Sequence, residues 1–291
     1  MKKNYLYVLL AVSLTTASCS NELPEDVSSS AGVVHIEASV SPQTRSPQLD
    51  SDGSGTFAKG DALSIFVAGN GMSTVTANYA YVSDLLTWSQ LGLPEEVKQV
   101  TFAACYPQPT TVKDGTFEFN TLTAPEKDLL LAPAQSVSVG TAETVCLTFG
   151  HALHNLNLNF VPGNGYTDSD IRSLTLVCQA KTTCVVDAAQ GTILKVNEET
   201  GNYQATGNAA SFYLVPQATN AINLTIGVQN ESKKITLDNL LQQLGSQQTE
   251  LQGGKRCSLT LKVGREGITI EGATIGAWGD QVTADGEVVI G

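Results

Sequence analysis

The sequence predicts an all-β protein made of two β-sandwich domains in tandem, and three observations carry that expectation. Short runs in which apolar and polar residues alternate recur along most of the 291 residues; clusters of Gly, Pro, Asn, Asp and Ser separate them; only one segment has helical spacing. Apolar residues make up 42% of the chain, enough for sizeable cores.

The strands begin after a leader. Lys2 and Lys3 precede an apolar run, Tyr5 to Leu14, and the small residues Thr15 to Ser18 lead into Cys19. Charge, apolar run and small residues in that order form an export signal over 1–18, too short to remain as a spanning helix. Residues 19–32, with Glu22, Glu25, Asp26 and three serines at 28–30, have nothing to bury and read as a flexible tether.

The first domain is expected over 33–162. Val33 to Val40 alternates, with Val34, Ile36, Ala38 and Val40 on one side and His35, Glu37 and Ser39 on the other, as a half-buried strand does. The loop Ser46 to Gly55 comes next. Strands are then expected at Leu63 to Val67, Ala77 to Val82, Val100 to Tyr106, Thr116 to Phe119, Leu129 to Ala132, Glu143 to Phe149 and Leu153 to Val161. The pattern breaks at Pro162-Gly163-Asn164-Gly165. A second series, over 163–291, runs through Ile171 to Cys178, Cys184 to Asp187, Gly191 to Lys195, Ala210 to Val215, Ile222 to Val228, Lys234 to Leu237, Lys255 to Val263 and Ile268 to Ile270. Leu237, Leu240, Leu241 and Leu244 mark one short helix over Asp238 to Gly245.

Several function classes are disfavoured. Acidic residues outnumber basic ones 28 to 16, a net charge of −12, so nucleic acid and anionic headgroups are poor partners. No nucleophile elbow, zinc-protease helix or paired-carboxylate pattern is present, so no catalytic residue, no metal and no cofactor is expected. His151 and His154, three apart on a strand, would point to opposite faces instead of converging on a metal. Asp168 with Asp170 and Asp50 with Asp52 have the spacing of a calcium loop but also of solvated turns. Beyond Cys19, the five cysteines Cys105, Cys146, Cys178, Cys184 and Cys257 lie in apolar runs and read as small core residues; a disulfide framework stays open, Cys178 and Cys184 being the close pair.

Three resemblances sharpen this reading. The thiol directly after the cleavage site resembles the lipobox of bacterial lipoproteins, which implies acylation of Cys19 and anchorage in a membrane, with Thr16 standing where Leu is usual. The acidic cluster behind it resembles the surface-export signal of Bacteroidota lipoproteins. Phe57 to Phe66, Val100 to Pro107, Leu147 to Leu153 with its Phe149-Gly150-His151-Ala152-Leu153 core, and Ile268 to Trp278 resemble the fimbrillin family of Bacteroidota, the subunits of type V pili.

That resemblance implies two transthyretin-like Greek-key sandwiches in a subunit or accessory of surface fimbriae on the cell outer membrane. It also implies maturation by an arginine-directed protease and assembly with other fimbrial subunits through an exchanged strand. Arg45, the first basic residue after Lys3, and Ser46 then form the processing point, and a cut there would release the anchor together with residues 33–45. Pro47 close behind leaves an uncut surface arginine as the other reading. Loss of the strand would leave an apolar groove and unpaired backbone groups. The tail Gln281 to Gly291 fits a donor strand and equally an edge strand of the second domain. The alternative function is a surface glycan-binding lipoprotein, for which Trp88 and Trp278 are the only tryptophans.

Overall fold

A computed structural model describes residues 32–40, 57–124, 128–277 and 283–284. Cys19, Arg45, Ser46, Asp50, Asp52, Trp278 and most of Gln281 to Gly291 lie outside them. The described chain is all-β, as expected, with two short helices.

The first strands are β1 (Ile36–Val40), β2 (Ala62–Ala68), β3 (Val75–Ala80), β4 (Gln99–Tyr106), β5 (Thr116–Asn120), β6 (Leu130–Ser138) and β7 (Val145–His151). All but β5 form a six-stranded sheet in the order β1-β7-β6-β4-β2-β3. The sheet is antiparallel except that β1 runs parallel to β7. Both of its faces are covered, which is why β2 is buried at five successive positions. One face carries Leu63, Ile65, Phe102, Leu147 and Phe149 and packs with Phe57, Val34, Ala38 and the 3-10 turn Trp88–Leu91. The other carries Phe66, Ala103 and Cys105.

The remaining elements are β8 (His154–Pro162), α1 (Asp168–Arg172), β9 (Thr175–Lys181), β10 (Thr183–Asp187), β11 (Thr192–Val196), β12 (Thr200–Thr206), β13 (Ala209–Leu214), β14 (Gln217–Ala218), β15 (Asn223–Val228), β16 (Glu231–Thr236), α2 (Leu237–Gln243), β17 (Glu250–Leu251), β18 (Lys255–Val263), β19 (Ile268–Ala277) and β20 (Thr283–Ala284). Two sheets, β12-β9-β15-β16 and β13-β8-β18-β19-β20, share one core. Alternation explains it: Leu156, Leu158 and Phe160 of β8, Leu176 and Cys178 of β9, Leu224 and Ile226 of β15, and Leu259 and Leu261 of β18 all turn inward. Leu237, Leu240 and Leu241 of α2 join the same core; the helix begins one residue before the expected Asp238 and ends two before Gly245.

The sheets do not divide at Pro162. β8 precedes that break and pairs with β13 and β18, whereas the hairpin β10–β11 lies beyond it and pairs with β5 in a three-stranded sheet. Phe117, Phe119, Cys184 and Val186 of that small sheet cover Phe66, Ala103 and Cys105. A turn signal marks where a chain reverses, not which distant strand it then joins.

The hairpin lies close against β6. Gly191 sits at φ +61, and a Cβ there would come within 2.3 Å of the Ala132 carbonyl oxygen. Gly191→Val is therefore expected to cost about 1–3 kcal/mol in chemical unfolding; an unchanged midpoint would contradict this docking.

Other expectations are corrected. The strand expected from Ile171 is α1 followed by β9, because Thr167 and Asp170 form a capping box that starts a helix. That box, with Gln229 Nε2 donating to Asp170 Oδ1 at 2.7 Å, engages the Asp170 carboxylate at the helix start. β3 ends at Ala80, since Val82 takes φ +57 in a turn. All five described cysteines are free thiols. Burial pushes those of Cys178, Cys184 and Cys257 up to about 12, and Cys105 is buried likewise. Cys146 differs: it lies on the exposed side of β7 and is not a core residue.

Candidate functional site: the first-strand groove

β1 is one of the two edge strands of the six-stranded sheet. Its ladder to β7 runs from Ile36 opposite Val145 to Val40 opposite Phe149. The predicted alternation is observed, with Val34 and Ala38 buried, Ile36 and Val40 half-buried, and His35, Glu37 and Ser39 exposed. Val145 N–H donates to the His35 carbonyl at 2.7 Å, so odd-numbered residues of β1 face β7.

Even-numbered residues turn their backbone groups the other way and meet the segment after β3. Val34 N–H donates to the Leu86 carbonyl at 2.8 Å, and Trp88 N–H donates to the Gly32 carbonyl at 2.7 Å. The Tyr81 hydroxyl lies 3.4 Å from both the nitrogen and the carbonyl oxygen of Ala38. β1 is thus held in a groove with β7 on one side and Tyr81 to Trp88 on the other. The floor is aromatic: the Phe57 ring centroid lies 4.8 Å from Phe149, 5.8 Å from Tyr106 and 6.0 Å from Tyr81. In the sequence Phe57, Tyr106 and Phe149 belong to three separate motifs; the structure brings them together under β1. The Tyr81 contact has no signal in the sequence, because its partner is backbone.

β7 and β8 are separate strands, so His151 and His154 do not share one as expected. Only Ala152 and Leu153 join them, and Leu153 is fully buried in the core that the small sheet completes. His151 Nδ1 pairs with the buried Asp128 carboxylate. His154 Nδ1 hydrogen-bonds the Gln252 carbonyl oxygen at 2.9 Å, which makes that nitrogen the protonated one. No cluster of three or more metal-ligating side chains occurs among the described residues.

Burial holds His154 down to about 4, against an ordinary 6.5. The unfolded chain therefore binds a proton that the folded one refuses between about pH 6.5 and 4, so stability is full above that window and falls as pH drops through it. The expected loss is about 3 kcal/mol by pH 4. Denaturation across that range reads it, and His154→Gln is expected to flatten the slope.

Of the sequence-predicted site residues, Cys19, Arg45 and Ser46 lie outside the described residues. Of the tail, Thr283 and Ala284 pair with Thr274 and Ala273 at the edge of the sheet β13-β8-β18-β19-β20. Trp88 is buried, with its ring edge-on to Phe102 at 5.8 Å and Nε1 donating to the Thr141 carbonyl at 3.3 Å.

Residues 44–278 match the family described as fimbrillin-like. The chain belongs to that family. No curated protein matches this fimbrillin-like chain. Among solved structures, it is similar to one from Bacteroides uniformis described as a candidate cell adhesion protein, at 20% identity and TM-score 0.60 over 85% of this chain and 99% of that one. A second, from Bacteroides ovatus with the same description, is 15% identical with TM-score 0.56 over 86% and 99% of the two chains. These likenesses are of fold. The family match opens at Thr44 and closes at Trp278, so β1 and the tail both fall outside it.

Proposed function

We propose that this fimbrillin-like chain is a non-catalytic subunit or accessory of surface fimbriae that assembles by strand exchange and supports adhesion. The observation that carries the reading is the placement of β1, an edge strand that turns its apolar side to the core and pairs with one strand of the sheet, β7. In this reading Cys19 carries the lipid that holds the exported protein at the outer membrane. Cleavage between Arg45 and Ser46 frees anchor and β1 together. β7 then presents an unpaired edge above an apolar floor, and a strand from a neighbouring subunit restores both the ladder and the burial. The tail Gln281 to Gly291 is the donor, and the paired sheets are the transthyretin-like Greek keys of the resemblance. Family membership supports the fimbrial role, and the adhesion descriptions of the Bacteroides structures agree with it.

The experiment is N-terminal sequencing of the protein extracted from the cell surface. A start at Ser46 is the expected result. An acylated Cys19 on every surface copy would instead make the chain a permanent anchor that keeps β1.

A further inference from the structure

β5 pairs with β10 on one side only, so its other side is an edge of the three-stranded sheet. Ala188 N–H donates to the Gly115 carbonyl at 2.8 Å and Thr121 N–H to the Thr182 carbonyl at 2.9 Å. Odd-numbered residues along β5 therefore bond to β10, and Thr116, Glu118 and Asn120 turn their backbone groups to the other edge. At Thr116 that edge is closed. Lys113 and Thr116 exchange both backbone bonds, at 2.8 and 2.9 Å, around a two-residue turn in which Asp114 and Gly115 take φ +50 and +73. Beyond Thr116 the hairpin parts. A continuing ladder would set Thr111 opposite Glu118 and Pro109 opposite Asn120, but the Lys113–Thr116 bridge is isolated and Pro109 has no N–H to donate. The Asn120 carbonyl accepts from Thr123 and Ala124 N–H at 3.2 and 2.9 Å. Among the described residues, no backbone partner meets the N–H and carbonyl of Glu118 or the N–H of Asn120.

The hairpin parts around a cavity of about 760 Å³, with Pro107, Pro109 and Thr111 on one wall and β5 on the other. A strand laid along β5 there would meet two kinds of surface. Opposite Glu118 its side chain would turn outward beside the Glu118 carboxylate, to which Asn197 Nδ2 donates at 3.2 Å. The residues before and after that one would turn the other way, to the side on which Phe117 and Phe119 are buried. Asp114, Glu118 and Glu199 line the cavity against the single cation Lys113. We propose that this edge is a docking site for an extended basic segment of another protein, which adds to β5 as a fourth strand of the small sheet with a Lys or Arg opposite Glu118 and an apolar residue on either side of it.

Backbone and charge together select that partner. The open ladder is short, the two groups of Glu118 and one N–H of Asn120, so side chains decide which extended chain stays. A second copy is a poor occupant. Each copy carries a net charge of −12, and its alternating tail, apolar on one side, would set Asp285 or Glu287 opposite Glu118. The carboxylate that turns away copies of this acidic chain attracts a Lys or Arg, and the apolar neighbours of that residue cover the rim of the core around Phe119. The site is separate from the groove of β1, which belongs to the six-stranded sheet, so it stands whether or not β1 is exchanged.

The full chain with Cys19→Ser is titrated by calorimetry with the capped peptide Thr-Thr-Val-Lys-Val-Thr-Thr, and hydrogen exchange locates the bound peptide. Binding that weakens with salt and slows exchange at the Glu118 and Asn120 amides is expected. A peptide with Glu in place of Lys is expected to bind about tenfold more weakly. One N-methylated at the Lys keeps its charge but cannot donate to the Glu118 carbonyl, and is expected to lose about tenfold as well. Glu118→Gln is expected to weaken the Lys peptide about threefold and to remove most of the salt dependence. Glu118→Pro takes away an N–H that β10 does not use and is expected to cost about tenfold; should that variant not fold, the N-methylated peptide makes the same test on the unaltered strand. The proposal is overturned by no binding of the Lys peptide at about 1 mM, by equal binding of the Glu or N-methylated peptide, or by protection of residues 36–40 or 145–149 in place of 116–120. Protection of Glu118 by a neutral oligosaccharide, maltohexaose, where the peptide gives none overturns it too.

Discussion

Deleting residues 33–40 is expected to remove about 5 kcal/mol of stability, a large part of what a domain has in total. Val34 and Ala38 are 4% and 8% exposed, Ile36 and Val40 are half-buried, and all four lean on the core that holds Leu147 and Phe149. Burial of a Val or Ile side chain contributes about 1.5–3 kcal/mol when complete and less when partial, and area measured against a fully extended chain gives an upper bound. Backbone groups of Leu86, Val145 and Trp88 lose their partners as well. Chemical unfolding and binding of a hydrophobic dye read the effect: a lower midpoint and a newly exposed apolar patch are expected. The deletion protein is also expected to be rescued by a peptide of residues 281–291. A deletion variant as stable as the parent would mean that β1 merely rests on the surface.

Trp88→Ala is expected to cost about 3–5 kcal/mol, the range for a large aromatic removed from a core. Trp88 is 9% exposed, sits in a 3-10 turn whose chain is tied to Gly32, and packs edge-on against Phe102. For a body of this size the thermal midpoint is expected to fall by about 10 °C. The same variant separates the fimbrial role from the glycan-binding one. A glycan platform needs an exposed ring, so a sharp loss of carbohydrate binding by Trp88→Ala with an unchanged midpoint would favour the glycan-binding alternative and contradict the packing described above.

How far the sequence can be read depends on whether the deciding physics is local. Alternation is local, and it locates β1 with the correct face inward because Val34, Ile36, Ala38 and Val40 sit two apart. Helix α2 is legible from its leucines. Helix α1 is not, because Ile171, Leu174 and Leu176 fit either period and the capping box of Thr167 and Asp170 decides the matter. The burial of Leu63 to Val67 on both faces shows as an unbroken apolar run, but its second cover, β5 with β10–β11, joins segments more than sixty residues apart and leaves no local trace. Cys146 looks like a core residue beside its apolar neighbours Val145 and Leu147, whereas β7 alternates there and turns the thiol outward. The clasp of Tyr81 and Leu86 on β1, which sets the second wall of the groove, leaves no trace either, since it is made to backbone.

The proposed assembly turns on β1 giving way to a strand from a sister molecule. Native mass spectrometry of the full chain, cut between residues 45 and 46, tests it directly. Multimers in which each subunit has lost the fragment carrying residues 33–40 are the expected result. Monomers that retain that fragment stoichiometrically after prolonged incubation would contradict it.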